Sequence, residues 1–215
     1  MDEIDVVLPC LDEAAALPLV LTALPPGYRA IVVDNGSTDG SPEIAGRLGA
    51  KVIHEPRKGY GAAVHTGLEH ATSELVAFMD ADASLDPAEL PKLTRMLDHA
   101  DLAVGKRVPA QRGVWPWHAR AGNALLATLL RRKGLPVTDI APMRVARRQQ
   151  LLDLGIKDRA FGYPLELLLR AAESRWRVVE TSVTYRARAA GTKSKVSGSV
   201  RGTLRAVHDM AGVLR

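Results

Sequence analysis

The chain has 215 residues, enough for one substantial domain and too few for two ordinary ones. Its 47% apolar and 25% charged residues exclude collagen-like and disordered classes, and its single cysteine, Cys10, excludes an internal disulfide or a Cys-based zinc site. The net charge of +5 hides a division, because residues 1–101 carry 7 Lys/Arg against 17 Asp/Glu while residues 102–215 carry 22 against 7.

An acidic half suits a divalent cation, and a basic half suits phosphates or anionic lipid. Two solvated faces of unlike sign are the plainer alternative. Aromatic residues make up only 4%, too few for a base-stacking surface, and no reading helix is visible, so nucleic acid is not expected as a partner. No run of about 18 apolar residues is present, and Met1-Asp2-Glu3 is acidic where a signal peptide would be basic. A cytoplasmic location is the expectation.

Along the chain, short apolar runs alternate with helical stretches. Ile4–Leu8 reads as a buried strand stopped by Pro9, and Glu13–Leu24 as a helix ended by Pro25-Pro26-Gly27. Ala30–Val33 is the next strand; a helix then starts with Ser41 as N-cap and Pro42 in its first turn. Lys51–His54 is the third strand, and the glycine-spaced Lys58-Gly59-Tyr60-Gly61 leads into a helix reaching about Ala71. Leu75–Met79 is the fourth strand, Asp86-Pro87 starts a helix, and Leu102–Val104 is the fifth strand. Such alternation predicts a parallel sheet with helices on both faces.

Residues 106–117 read as a loop with two prolines and two tryptophans. Helices follow at about 118–132, 147–154 and 163–174, with strands near Met143–Ala146 and at about 176–186. A basic Gly/Ser loop, Ala187–Gly198, precedes a last helix with Val200, Leu204, Val207, Ala211 and Leu214 on one face, better suited to packing on its own domain than to a membrane.

In an open parallel sheet, ligands sit beyond the carboxyl ends of the strands. Three such ends carry carboxylates: Asp12 and Glu13 after the first strand, Asp34 after the second, Asp80 and Asp82 after the fourth. Clustered carboxylates repel unless a cation neutralises them, and few oxygen ligands suit Mg²⁺ or Mn²⁺ completed by substrate phosphates. No glycine-rich phosphate fingerprint follows the first strand and no P-loop is present, which disfavours dinucleotide and P-loop enzymes. Asp34-Asn35-Gly36 alone could be only an Asx turn.

Together the segments Val6–Glu13, Val32–Gly40, Lys58–Ala63 and Phe78–Asp82 resemble the family 2 glycosyltransferases of GT-A fold. The resemblance implies an α/β fold with a Rossmann-like, mixed but mainly parallel sheet flanked by helices in a single domain. It implies a nucleotide-sugar-binding half over 1–105 and an acceptor-binding half over 106–215. Carried over, Pro9, Leu11, Glu13, Asp34 and Lys58 become contacts for the nucleotide-sugar. Asp80 and Asp82 become metal and diphosphate ligands, with Asp82 the more direct and Asp80 nearer the ribose. Three residues depart from the family pattern: Leu11 replaces an aromatic, Asn35 a second Asp, and Ser84 an amide that ligates the metal in some relatives.

The second half is similar to the dolichyl- or polyprenyl-phosphate sugar synthases, through Arg120–Asn123, Asp139–Arg144, Phe161–Glu166 and Tyr185–Lys195. That likeness gives Arg120, Arg144, Arg188, Lys193 and Lys195 to the lipid phosphate and the donor diphosphate, where paired guanidinium bonds hold phosphate well. Where relatives acting on sugar hydroxyls carry a Glu-Asp pair, Leu165-Glu166-Leu167 has no Asp. A hydroxyl must lose a proton as it attacks, whereas a lipid phosphate is already anionic. Glu166 is then either an active-site group, counted with Asp82 and Arg144 in catalysis, or a helix N-terminal carboxylate.

The expected reaction is metal-dependent, inverting transfer of a sugar from a GDP- or UDP-linked donor to polyprenyl or dolichyl phosphate. Its alternative is a soluble enzyme acting on a phosphorylated small molecule or other hydroxyl acceptor. A non-catalytic nucleotide-binding module is the rival from another class. Contact with an anionic membrane, at the inner face of the cell membrane, would be peripheral or through a membrane-anchored partner, with Trp115 and Trp117 either interface anchors or loop packing.

Overall fold

The computed structural model describes residues 3–189; Lys193, Lys195 and the expected terminal helix lie outside them. Seven strands form one sheet in the order β3-β2-β1-β4-β6-β5-β7. They are β1 (Ile4–Cys10), β2 (Tyr28–Asp34), β3 (Lys51–His54), β4 (Leu75–Phe78), β5 (Leu102–Pro109), β6 (Met143–Arg147) and β7 (Val178–Tyr185). The helices are α1 (Leu17–Thr22), α2 (Ser41–Arg47), α3 (Tyr60–His70), α4 (Leu90–Met96), α5 (Trp117–Arg132), α6 (Arg148–Asp153) and α7 (Tyr163–Glu173).

Both sheet faces are covered, which is why the strands read as unbroken apolar runs. Successive residues alternate between the two cores: Val7, Val76, Phe78, Leu102 and Val104 meet α3, α5, α6 and α7, whereas Val6, Leu8, Ala77, Met79 and Ala103 meet α1, α2 and α4. The chain runs outward from β1 to β2 and β3, then returns to β4 on the other flank of β1. The switch point therefore lies between the ends of β1 and β4, where a ligand crevice is expected.

The sheet is mixed, because β6 runs antiparallel to both β4 and β5. This matches the GT-A expectation and corrects simple parallel alternation. Two helix starts also differ from the sequence reading. The N–H groups of Glu13 and Ala14 donate to Ser41 Oγ and Asp39 Oδ2, so this stretch is held by the β2 loop and α1 starts only at Leu17. Ser41 is the first residue of α2 rather than its cap: Gly40, at φ +82°, precedes it, and the buried Ser41 hydroxyl faces Glu13 and Asp39. Asp86 does cap as expected, accepting from Ala88 N–H at the one turn of 3-10 helix before α4. The fifth strand runs on to Pro109, which shortens the tryptophan loop.

Candidate active site

The loops after β1, β2 and β3 are laced into one wall. Asp12, at φ +55°, accepts from Thr38 N–H through Oδ1, while its own N–H donates to Ser37 Oγ. The Asp34 carboxylate is buried, closes an Asx turn onto the N–H groups of Gly36 and Ser37, and lies 3.2 Å from His54 Nδ1. Asn35 is the keystone. Its N–H donates to Cys10 O, its amide NH₂ to Glu55 O and Arg57 O, and its amide oxygen accepts from Gly59 N–H. An Asp could not make the two donations, which accounts for the departure from the family pattern.

The glycine-spaced loop has a packing cause. Gly59 (φ +147°) and Gly61 press against the segment before α7, where a Cβ on Gly59 would come within 2.2 Å of Arg159 O and one on Gly61 within 2.8 Å of Tyr163 Cβ. Gly61 and Ala62 N–H donate to Ala160 O and Arg159 O across this contact. Of the nucleotide-side residues, Pro9 and Leu11 are half-buried, Glu13 and Asp34 are buried, and Lys58 is exposed.

The second wall is the turn after β4. Asp82 is buried, and its Oδ1 accepts from Ser84 N–H. Its Oδ2 lies 2.7 Å from Arg188 Nη1, an ion pair without well-directed hydrogen-bond geometry. The stretch after β7 straps this turn: Arg186 N–H donates to Ser84 O, Ala189 N–H to Asp82 O, and Arg186 pairs with Asp86. Burial and the Asp82 charge push the Asp80 carboxyl up to about 6, against the pull of Arg188, Arg107 and Arg144. One acidic turn thus feels the charge of three guanidinium groups from three segments, with Arg188 in direct contact.

Arg107 was absent from the sequence reading, and so was a role for Asp139. The Arg107 backbone N–H and Nε donate to Asp139 Oδ2 at 2.8 and 2.9 Å, and Nη2 donates to Oδ1 at 2.7 Å. The guanidinium lies 4.1 Å from the Trp115 ring centroid and 5.6 Å from that of Tyr185. Burial opposes the Asp139 charge, but Arg107 outweighs it and holds the carboxyl below its ordinary range. The signal lies in the sequence, since Arg107 follows the expected strand Leu102–Val104 just as Asp80 and Asp82 follow Leu75–Met79.

Two expected catalytic residues are otherwise engaged. Arg144 is buried, its Nε and Nη1 donate to Ala141 O and Pro164 O at 2.9 Å, and Nη2 donates to Ile140 O. It ties the loop before β6 to the start of α7, and burial pushes its pKa down to about 10. Glu166 accepts from Lys157 and Asp158 N–H and pairs with Arg170 at 2.7 Å. Arg144 thus meets backbone carbonyls, and Glu166 meets backbone N–H groups and Arg170. Arg120 is exposed on α5, beside Trp115 and Trp117.

The sequence profile described as Glycosyl transferase family 2 matches residues 3–155. The chain belongs to glycosyl transferase family 2. An uncharacterized glycosyltransferase of Mycobacterium tuberculosis is 56% identical over 99% of this chain and 98% of its own length. The polyprenol monophosphomannose synthase of Mycolicibacterium smegmatis is 35% identical over 90% of this chain and 81% of its own. Among solved structures, glucosyl-3-phosphoglycerate synthase from M. tuberculosis, crystallised with Mn²⁺, UDP and glucosyl-3-phosphoglycerate, superposes with a TM-score of 0.76. It covers 99% of this chain and 78% of its own at 23% identity, a likeness of fold. This family 2 glycosyltransferase has no helix among the described residues that is long and apolar enough to cross a membrane.

Proposed function

We propose that this glycosyltransferase moves a sugar from a nucleotide-sugar to a polyprenyl phosphate, with inversion at the anomeric carbon. The observation that carries the reading is the Asp80–Asp82 turn with Arg188 paired to Asp82 and Arg107 near enough to pull on Asp80, an arrangement suited to two phosphate-bearing substrates. The relative named as a polyprenol monophosphomannose synthase supports the lipid acceptor.

The residues fit a hard divalent cation such as Mg²⁺ or Mn²⁺. The donors are oxygens, Asp82 Oδ2 is buried with an ion pair as its contact, and Ser84 Oγ is buried without a hydrogen bond among the described residues. Among the described residues no third carboxylate, His or Cys completes a metal cluster, which leaves positions for the donor diphosphate. Asp82 and Asp80 would hold the cation, whose charge would stabilise the departing diphosphate.

The chain's own groups do the rest. The β1–β3 wall, with Pro9, Leu11, Glu13, Asp34 and Lys58, binds the nucleoside. Arg188, with Lys193 and Lys195 beyond the described residues, meets the donor diphosphate, and Arg107 with Arg120 meets the acceptor phosphate. Asp139 positions Arg107, and Arg144 and Glu166 keep the surrounding backbone in place. A phosphate oxygen of the acceptor attacks the anomeric carbon, the bond from that carbon to the diphosphate oxygen breaks, and its electron pair leaves on the nucleoside diphosphate. No proton need be removed from the nucleophile, in keeping with the engagement of Glu166 elsewhere.

The test incubates the protein with Mn²⁺, polyprenyl phosphate and a panel of labelled nucleotide-sugars, then partitions the label. Label in the organic phase, lost with Asp82→Ala, is the expected result and names the sugar. Label confined to the aqueous phase with every donor would defeat the lipid acceptor; transfer there to a phosphorylated small molecule would establish the alternative.

A further inference from the structure

From Leu102 to Thr138 the sequence has no acidic residue and seven lysines and arginines. The stretch spans β5, the tryptophan loop and all of α5. That helix has 16 residues yet buries only Ala127 and Leu130, so one side rests on the core and the other has no cover among the described residues. Trp117, Ala121 and Leu125 recur there at four-residue steps, which stacks them along one face. Trp117 is 80% exposed and Leu125 63%, more than any other large apolar side chain described. Exposed His118 and Arg120 flank this face at one end, and exposed Arg131 and Arg132 lie at the other.

An outward Trp and Leu between basic residues is the pattern of a helix lying in a membrane interface, indole at the headgroup level and bases against lipid phosphates. Charge selects the occupant. A second copy seated on the same face would set base against base. Residues 190–215 carry five Lys/Arg against one Asp, so they too would bring like charge. An anionic lipid surface is complementary. The face also opens toward the site, through a shallow pocket lined by Trp115, Trp117, Arg120, Ala121, Asn123 and Ala124. Asn123 in turn accepts from Ile140 N–H and contacts Arg107.

We infer that the Trp117–Ala121–Leu125 face of α5 docks on an anionic bilayer and holds the Arg107 crevice at its surface. The purpose of this docking rests on the lipid-phosphate reading, since such an acceptor keeps its tail in the bilayer; the binding itself does not.

The experiment sediments the full chain with phosphatidylcholine vesicles, with and without about one-third phosphatidylglycerol, all lacking polyprenyl phosphate. The wild type should bind the anionic vesicles at low salt, lose roughly tenfold in binding when salt is raised, and bind neutral vesicles weakly. Trp117→Ser with Leu125→Ser should lose roughly tenfold in binding while keeping its thermal transition, because both side chains face solvent. No binding by the wild type overturns the inference. Equal binding by the double variant also overturns it, and is the result expected if a second copy or residues 190–215 cover this face. Both proteins are then assayed on a short, detergent-dispersed polyprenyl phosphate. Equal transfer there, with loss only on vesicles, supports the docking. No transfer by the wild type would defeat the acceptor reading and leave the vesicle result standing.

Discussion

Arg188 Nη1 stands 2.7 Å from Asp82 Oδ2, and this pair joins the basic second half of the chain to the acidic first half at the turn after β4. The guanidinium occupies the oxygen that a divalent cation would take. On the proposed site assignment, metal and Arg188 would compete for Asp82 until a diphosphate arrived to accept the arginine. Arg188→Ala should tighten binding of Mn²⁺ alone several-fold and weaken nucleoside diphosphate binding in its presence by about tenfold. Calorimetric titration of each ligand separates the two effects. Unchanged Mn²⁺ affinity would show that the pair does not guard the site.

Asp82→Asn retains an oxygen for the Ser84 N–H and removes the charge. Transfer should fall by roughly a hundredfold or more, with the melting temperature shifted by only a few degrees. Steady-state rates alongside thermal denaturation check this. A large fall in melting temperature would recast the residue as structural.

Asn35→Asp tests the keystone. The variant keeps an acceptor for Gly59 N–H but aims a buried carboxylate at the carbonyls of Glu55 and Arg57. A loss of about 2–4 kcal/mol in unfolding free energy is expected, measured by urea denaturation.

Gly61→Ala should be worse than its size suggests, because the new methyl would lie 2.8 Å from Tyr163 Cβ and 2.9 Å from the Arg159 backbone. Overpacking of this kind costs about 1–3 kcal/mol, and the shift should also appear as weaker nucleotide binding, since the loop closes the β1–β3 wall. Denaturation and nucleotide titration of the same variant read both.

Stability should fall in acid partly through Asp5. Burial would raise its pKa, but the N–H groups of Ser73 and Thr72 and the Arg29 guanidinium together hold it below the ordinary carboxylate value. A depressed folded-state pKa gives stability that is complete above the unfolded value and is lost as pH falls through the folded one. Melting temperatures between about pH 2 and pH 6 should therefore drop at the acid end, and Asp5→Asn should flatten that limb.

The features legible in sequence were those set by neighbours along the chain. Burial on both faces makes β1, β2 and β4 continuous apolar runs, and Asp80 and Asp82 are visible because a strand end delivers them. Features set by distant contacts were not legible. The late start of α1 depends on Ser41 and Asp39 capturing N–H groups 28 and 25 positions away. The Arg107–Asp139 pair spans 32 positions and exists only because β5 and β6 are adjacent. A motif can nominate Arg144, but only the packed chain shows its guanidinium turned onto carbonyls.

The reversed direction of β6 has one more consequence. Gly105 of β5 pairs with Met143 of β6, so the chain leaves one interior strand and re-enters the sheet beside it. The chain between Pro109 and Met143 lies outside the strands and carries α5. Its inner side is pinned, because Leu130, Leu135, Val137 and Ile140 enter the core and Thr138 and Asp139 N–H donate to Glu180 of β7, so change is cheap only on its outer side. The wall built from the loops after β1, β2 and β3 is cross-laced at every turn, whereas the outer face of α5 meets nothing among the described residues and is free to change its chemistry residue by residue.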